Sequence, residues 1–259
     1  MKLDYGTQIS PVPVALSIGS IKKPTLKEIA EITFDKFAFY EMLLKLTPEF
    51  YYEKMGDAGD KKYWEALSDI EKTTETIFNI IVKKGNVASL YAEMLDYFFV
   101  ETVIYKEGYF IILNPGVDPN GELNKDSIKS AINKDTFQET LELIQQICGI
   151  YEGKVEEEKF KNNVAKAIYD KISKGNKKRE KKIDKNLSLP NIISALCNKH
   201  PSLNYTNIWG LTVFQLLDAF NRMQMNSVYD IESTRVSVWG DEKKTFDASL
   251  WYKNNYDTH

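Results

Sequence analysis

The run Asp60-Lys61-Lys62-Tyr63-Trp64-Glu65-Ala66-Leu67-Ser68-Asp69-Ile70-Glu71-Lys72-Thr73-Thr74-Glu75-Thr76-Ile77-Phe78-Asn79-Ile80-Ile81-Val82-Lys83-Lys84-Gly85 decides the fold class. Tyr63, Trp64, Leu67, Ile70, Thr74, Ile77, Phe78 and Ile81 recur at steps of three and four residues, the period of one helix face rather than of a strand. Asp60 is the expected N-cap and Gly85 the expected stop. Lys83 and Lys84 stand where a helix C-terminus favours positive charge. The spacing predicts one long helix.

The same pattern extends to either side. Thr25 and Glu28 have capping-box spacing, which predicts a short helix through Glu31. A second helix from about Asp35 carries Phe37, Phe39, Tyr40, Leu43, Leu44 and Leu46 before Pro48 interrupts it. Asn86 can cap a helix over Val87–Phe98. From Asn133, Phe137, Leu141, Ile144, Ile147 and Cys148 share one face, with Gly149 as the stop; Val155–Lys174, Leu189–Cys197 and Thr206–Met223 read as further helices. Two β-rich runs around Glu107-Gly108, within residues 100–113, read as a hairpin. Pro11, Pro13, Gly6 and Gly19 among β-branched residues suggest an extended N-terminal arm, able to dock on a partner or on its own domain. After Tyr229 the pattern weakens into a polar tail with isolated aromatics at Trp239, Phe246, Trp251 and Tyr252.

The expected fold is therefore mainly α: an irregular multi-helix bundle with one small β-hairpin and an extended N-terminal arm. The expected division is a helical domain over residues 1–173, a lysine-rich linker or exposed loop over 174–187, and a C-terminal helical segment with its tail over 188–259. No repeat of fixed period supports a solenoid.

The 259 residues can bury a sizeable core, and a composition of 43% hydrophobic and 27% charged residues is that of an ordinary globular chain. A formal net charge of −3 provides no general attraction to nucleic acid or anionic membrane. No stretch approaches the roughly 18 consecutive apolar residues of a membrane span. Pro11 and Pro13 break the apolar segment Ile9–Ile21, so it does not read as an export signal. Cys148 and Cys197 lie in apolar helical patterns and read as free thiols of a reducing compartment.

Catalytic signatures are sparse. The two histidines are His259, the last residue, and His200, in a turn before Pro201, a poor basis for a triad or a zinc site. No phosphate loop of Walker or Rossmann spacing occurs. The acidic segment from Asp118 would place Leu123 where an EF-hand needs glycine, and reads as a turn. Glu156, Glu157 and Glu158 open a helix, where its dipole favours negative charge. No metal, cofactor or catalytic group is expected, and the chain reads as non-enzymatic. The basic run around Lys177, Lys178, Arg179, Lys181 and Lys182 could contact phosphates, but it lacks interleaved aromatics and reads first as a solvated linker.

Two segments and the ending carry a resemblance. Ile18-Gly19-Ser20-Ile21-Lys22-Lys23-Pro24-Thr25-Leu26-Lys27-Glu28-Ile29 resembles the opening of small tail-assembly proteins of long-tailed phages infecting Gram-positive bacteria. Leu211-Thr212-Val213-Phe214-Gln215-Leu216-Leu217-Asp218-Ala219-Phe220-Asn221-Arg222 resembles a helix near the end of phage tail assembly chaperones, and the ending Val238–Lys244 with Leu250–Lys253 has a similar character. The resemblance implies a helical, cytoplasmic, non-enzymatic protein that keeps the tape-measure protein in solution while the tail tube polymerises around it. Expected partners are then the tape-measure or tail-tube protein, with no membrane and no nucleic acid. The candidate partner-binding positions are Thr212, Gln215, Leu216, Asp218, Phe220 and Arg222. Two other readings remain open: a structural component of the tail or baseplate, and a phage protein that binds a host defence factor.

Overall fold

The computed structural model describes residues 1–150, 185–242 and 244–254. Helices dominate them, and the chain forms two compact units. The first comprises Met1–Leu3, Ser10–Pro24 and Ile29–Cys148; the second comprises Asp4–Ile9, Thr25–Glu28 and Gly149–His259. The expected helix Val155–Lys174, and the lysine-rich stretch up to residue 184, lie outside the described residues.

In the first unit the decisive run is three helices rather than one. α5 (Ala58–Ala66), α6 (Asp69–Thr74) and α7 (Ile77–Lys83) follow each other with a break between each pair. The cause is local hydrogen bonding that periodicity does not register. Ser68 and Glu71 form a reciprocal capping box inside the run, and the Thr76 side chain accepts from Asn79 N. Each cap offers the backbone a way to restart, and Leu67 and Glu75 turn extended at the breaks. Asp57, not Asp60, is the N-cap of α5; Asp60 is the third residue of its capping box. Gly85 does not stop a helix but opens the next one, α8 (Gly85–Phe98).

The remaining helices of this unit follow the pattern more closely. Those that line the core are α3 (Phe34–Leu44) and α9 (Lys134–Ile147), the latter capped by Asn133. After Thr47 caps a turn at Pro48–Phe50, a π-helical turn over Tyr51–Met55 continues the chain.

The hairpin strands are β3 (Val103–Lys106) and β4 (Tyr109–Leu113), antiparallel and joined through Glu107 and Gly108. Both turn residues have positive φ, 52° and 86°, as the tightest hairpin turn requires. A third strand, β5 (Ile128–Ile132), pairs antiparallel with β4, so the small β element is a three-stranded sheet. Its period-two signal is weak because burial does not alternate along it: Ile128 and Lys129 are both exposed, Ser130 and Ala131 both half-buried.

The N-terminal arm is not uniformly extended. α1 (Tyr5–Ile9) is helical, and β1 (Val14–Ala15) pairs with β2 (Ser20–Ile21). Within the first unit the arm docks on its own domain. Lys22 N donates to Phe98 O and Val100 N to Ser20 O, both at 2.8 Å. The Ser130 hydroxyl donates to Ile18 O, and a Glu101 carboxylate that pairs with Lys129 accepts from Ser20 N.

Aromatic contacts fill the core of the unit. Phe110 of β4 stacks on Phe137 of α9 with centroids 5.8 Å apart and planes at 13°, and Phe78 and Tyr91 meet Phe137 edge-on. The buried Tyr91 hydroxyl donates to Leu43 O at 2.8 Å.

The second unit is built on two helices, α10 (Leu189–Lys199) and α11 (Val213–Trp239), with Ile192, Ile193, Leu196, Ile208, Phe214 and Leu216 buried. α11 runs sixteen residues beyond the expected end at Met223 and stops at Gly240, whose φ is 74°. Its later turns are polar and largely exposed, so hydrophobic periodicity fades where the helix does not. Beyond it, Asp241 accepts from Thr245 N and Phe246 N, Phe246 packs on Tyr229 at 5.6 Å, and a short turn at Leu250–Tyr252 returns to the helix. No helix among the described residues is long and apolar enough to cross a membrane.

Two outcomes test the first unit. Phe110→Ala should cost about 3–5 kcal/mol in denaturant unfolding, because a buried ring with aromatic contacts leaves a cavity. Burial pushes the Glu101 carboxyl up, but Lys129 and Ser20 N outweigh it and hold it below its ordinary value. Its stabilisation is therefore present above the unfolded value of 4.5 and is lost as pH falls through the folded value. Glu101→Gln should be less stable than the native chain at pH 7, with the difference closing in unfolding curves recorded below pH 4.5.

Candidate functional site

Thr212, Gln215, Leu216, Asp218, Phe220 and Arg222 occupy the first three turns of α11 or its cap, and the fold places them on their own unit. Thr212 is the N-cap: its hydroxyl accepts from Gln215 N, and the Gln215 side chain accepts from Thr212 N at 2.9 Å. This reciprocal box satisfies two groups that a helix start otherwise leaves unpaired. Thr212 also forms a β-bridge with Thr25, and Leu26 N donates to Leu211 O at 2.8 Å. Thr25 and Glu28 form the expected cap of α2 (Leu26–Ile32), with Glu28 Oε2 accepting from Thr25 N at 2.8 Å.

The next polar positions hold the N-terminal turn. Gln215 Nε2 donates to Ile9 O at 2.7 Å. Arg222 Nε donates to Asp218 Oδ2 at 3.1 Å, and Arg222 Nη2 donates to the Tyr5 hydroxyl at 3.1 Å. That hydroxyl donates in turn to Asp218 Oδ2 at 3.3 Å, and the Tyr5 ring packs 6.1 Å from Phe214. Burial alone would lower the Arg222 guanidinium, but Tyr5 and Asp218 outweigh it and hold it above its ordinary value. Asp218 is 6% exposed, and among the described residues its buried Oδ1 has no hydrogen-bond partner. Leu216 is fully buried, and Phe220 is half-buried. The face is thus occupied by the chain's own residues. Tyr5 and the Ile9 carbonyl could not be foreseen as its partners, since more than two hundred positions separate them and neither carries a motif.

Several large apolar side chains of this unit are exposed elsewhere, Leu187 and Tyr205 among them. Ile231 is 56% exposed, Val238 63% and Trp239 75%, and they share the distal half of α11. Trp251 and Tyr252, in mutual edge contact at 4.9 Å, are more than half exposed. The isolated aromatics in the polar ending were the signal for this surface; without a helix reaching Trp239, nothing in the sequence joined them.

Other sequence candidates separate from these. Lys177, Lys178, Arg179, Lys181 and Lys182 lie outside the described residues. His200 Nδ1 accepts from Ser202 N and Leu203 N, which gives it a place in a turn. Asp118 Oδ1 accepts from Asn120 N, and Gly121 N donates to Asp118 O, a turn as expected. Cys148 is buried, and burial with a nearby Glu41 pushes its thiol well up, away from the nucleophilic thiolate. Among the described residues no group of three or more histidine, cysteine or acidic side chains could hold a metal ion.

Residues 176–256 match a family model described as YomV second domain. That family is phage-derived. The match covers just under a third of the chain, includes the whole of α10 and α11, and supports a phage protein without naming an activity. It begins inside the lysine-rich stretch. No curated protein matches the chain, and no solved structure does.

Thr212→Ala removes one half of the capping box while leaving the main-chain bridge to Thr25 in place. It should lower stability by about 1 kcal/mol in denaturant unfolding, the ordinary cost of a lost N-cap.

Proposed function

We propose that the chain is a phage factor that works by binding another protein rather than by catalysis. The observation that carries this is the exposure of Ile231, Val238 and Trp239 on the distal half of α11, with Trp251 and Tyr252 exposed beyond it. Tryptophan and tyrosine dominate the energy of protein interfaces. All five residues fall within the span similar to a phage-derived family.

The more specific form of the reading is a tail assembly chaperone, acting in the host cytoplasm on the tape-measure protein. It is supported by the resemblance of Ile18–Ile29 and Leu211–Arg222 to tail-assembly proteins. A tape-measure chain is long, helical and apolar-faced, so it associates with itself until the tube encases it. An aromatic surface at a helix end can cover such a face reversibly, as in helix-in-groove recognition.

The test is co-expression with the tape-measure and tail-tube proteins of the same phage, followed by affinity capture and an assay of purified particles. Capture of the tape-measure protein and absence from the finished particle is the expected result. Trp239→Ala together with Trp251→Ala should lower the affinity by tenfold or more, about 1.4 kcal/mol or above, with helix content unchanged. No capture of either protein would overturn the chaperone role, and a fixed stoichiometry in the particle would establish a structural component instead.

A further inference from the structure

We propose that the first turns of α11 form a peptide-binding face, and that residues Asp4–Ile9 are a self-inhibitory strap filling it until a partner's peptide displaces them. The inference rests on the protein-binding reading above and adds a second, gated surface to it.

The strap is held as a bound peptide is held. Five helical residues are too few to keep a helix by themselves, so the form of Tyr5–Ile9 depends on the face beneath it. Asp4 prepares it locally, accepting from Thr7 N at 2.7 Å and from the Thr7 hydroxyl at 2.8 Å. The grip itself is largely polar and reads main chain as well as side chain. Gln215 takes the Ile9 carbonyl, Arg222 and Asp218 take the Tyr5 hydroxyl, and Phe214 supports the ring. Tyr5 and Ile9 are only half-buried, and positions 11–13, which leave the strap, are exposed.

The resident segment also fits imperfectly. Asp218 Oδ1 is buried without a donor among the described residues, and a buried carboxylate oxygen left unpaired carries a desolvation penalty. An incoming peptide that keeps the phenol or an equivalent group and adds one donor toward Oδ1 would satisfy the site better than the strap does. The face therefore selects a short peptide with a hydrogen-bonding side chain and a free carbonyl one turn later. A ligand with that advantage shifts the equilibrium by its differential affinity alone.

The test uses the full chain with a protease site introduced at positions 11–13, folded first and cut afterwards. The probe is a fluorescently labelled synthetic peptide of residues 4–10, which leaves out Met1–Leu3 of the first unit. The uncut chain should bind it weakly, because the tethered strap competes at high effective concentration, and the cut chain about tenfold or more tightly after the released strap is removed. Gln215→Ala and Arg222→Ala should each reduce that binding. Binding to neither form, or equally to both, would overturn the strap. Tyr5→Phe keeps the ring and removes only the hydroxyl, so it guards against a trivial folding defect. In the uncut chain it should speed amide exchange at residues 5–9 while exchange in α10 stays unchanged; slow exchange in both would also overturn the proposal. Failure to capture a tape-measure protein leaves the peptide result intact, and failure of the peptide result leaves the distal aromatic surface intact.

Discussion

Every main-chain N–H and C=O taken out of water must find a partner, and the first 28 residues have only a five-residue helix, a two-residue strand pair and the start of another helix in which to find one. They find partners one at a time. Leu3 N donates to the Gln146 side chain, Ser20 N to Glu101, Lys22 N to Phe98 O, and Leu26 N to Leu211 O. Ile9 O accepts from Gln215, and Ser10 O accepts from a Lys23 ammonium that is itself buried. This accounts for the membership of the two units, in which the N-terminal segment contributes alternately to one and the other. It also explains why glutamine, glutamate and serine appear at inward positions where an aliphatic residue would fit the helix pattern equally well. Gln146, for instance, accepts from Leu3 N at 2.8 Å and donates to Met1 O at 3.0 Å.

The helical character and some helix starts were legible because they depend on neighbours in sequence, although the last long helix starts at Val213 and not at the expected Thr206. Thr25 with Glu28, Asn133, and the glycine after α9 can be recognised without knowing the fold. The run from Asp60 shows the limit of that reasoning. Its apolar spacing is continuous, yet Ser68 with Glu71 and then Thr76 reset the backbone twice, and the resets leave Ile70 77% exposed. Capping chemistry outweighed periodicity there because no large buried face rewarded a straight helix. The opposite error occurred at the end of α11, where a polar surface hid sixteen further residues of helix. Period counting follows burial, so it fails in both directions when a helix is mostly in water.

The candidate site was legible as a pattern and not as an arrangement. Thr212, Gln215, Asp218 and Arg222 stand at spacings of three and four, which places them along one side of a helix. That much needs no coordinates. What they face does, because Tyr5 and Ile9 are joined to them only through the fold.

α11 therefore divides by chemistry. Its first turns spend their polar groups on the chain's own N-terminal residues, and its last turns present Val238 and Trp239 to solvent. The distal turns are otherwise largely polar, so Val238 and Trp239 are exposed among serine, threonine and charged side chains. The cap at Thr212 anchors the first turns, and Gly240 ends the helix immediately after Trp239, so the aromatic stands at a terminus with no further turn to shield it. The returning segment, fixed by Asp241 and by Phe246 on Tyr229, brings Leu250 against the helix and leaves Trp251 and Tyr252 outward. Leu250 alone of the three residues in that turn is buried, so its side chain is the one that fixes the return of the segment.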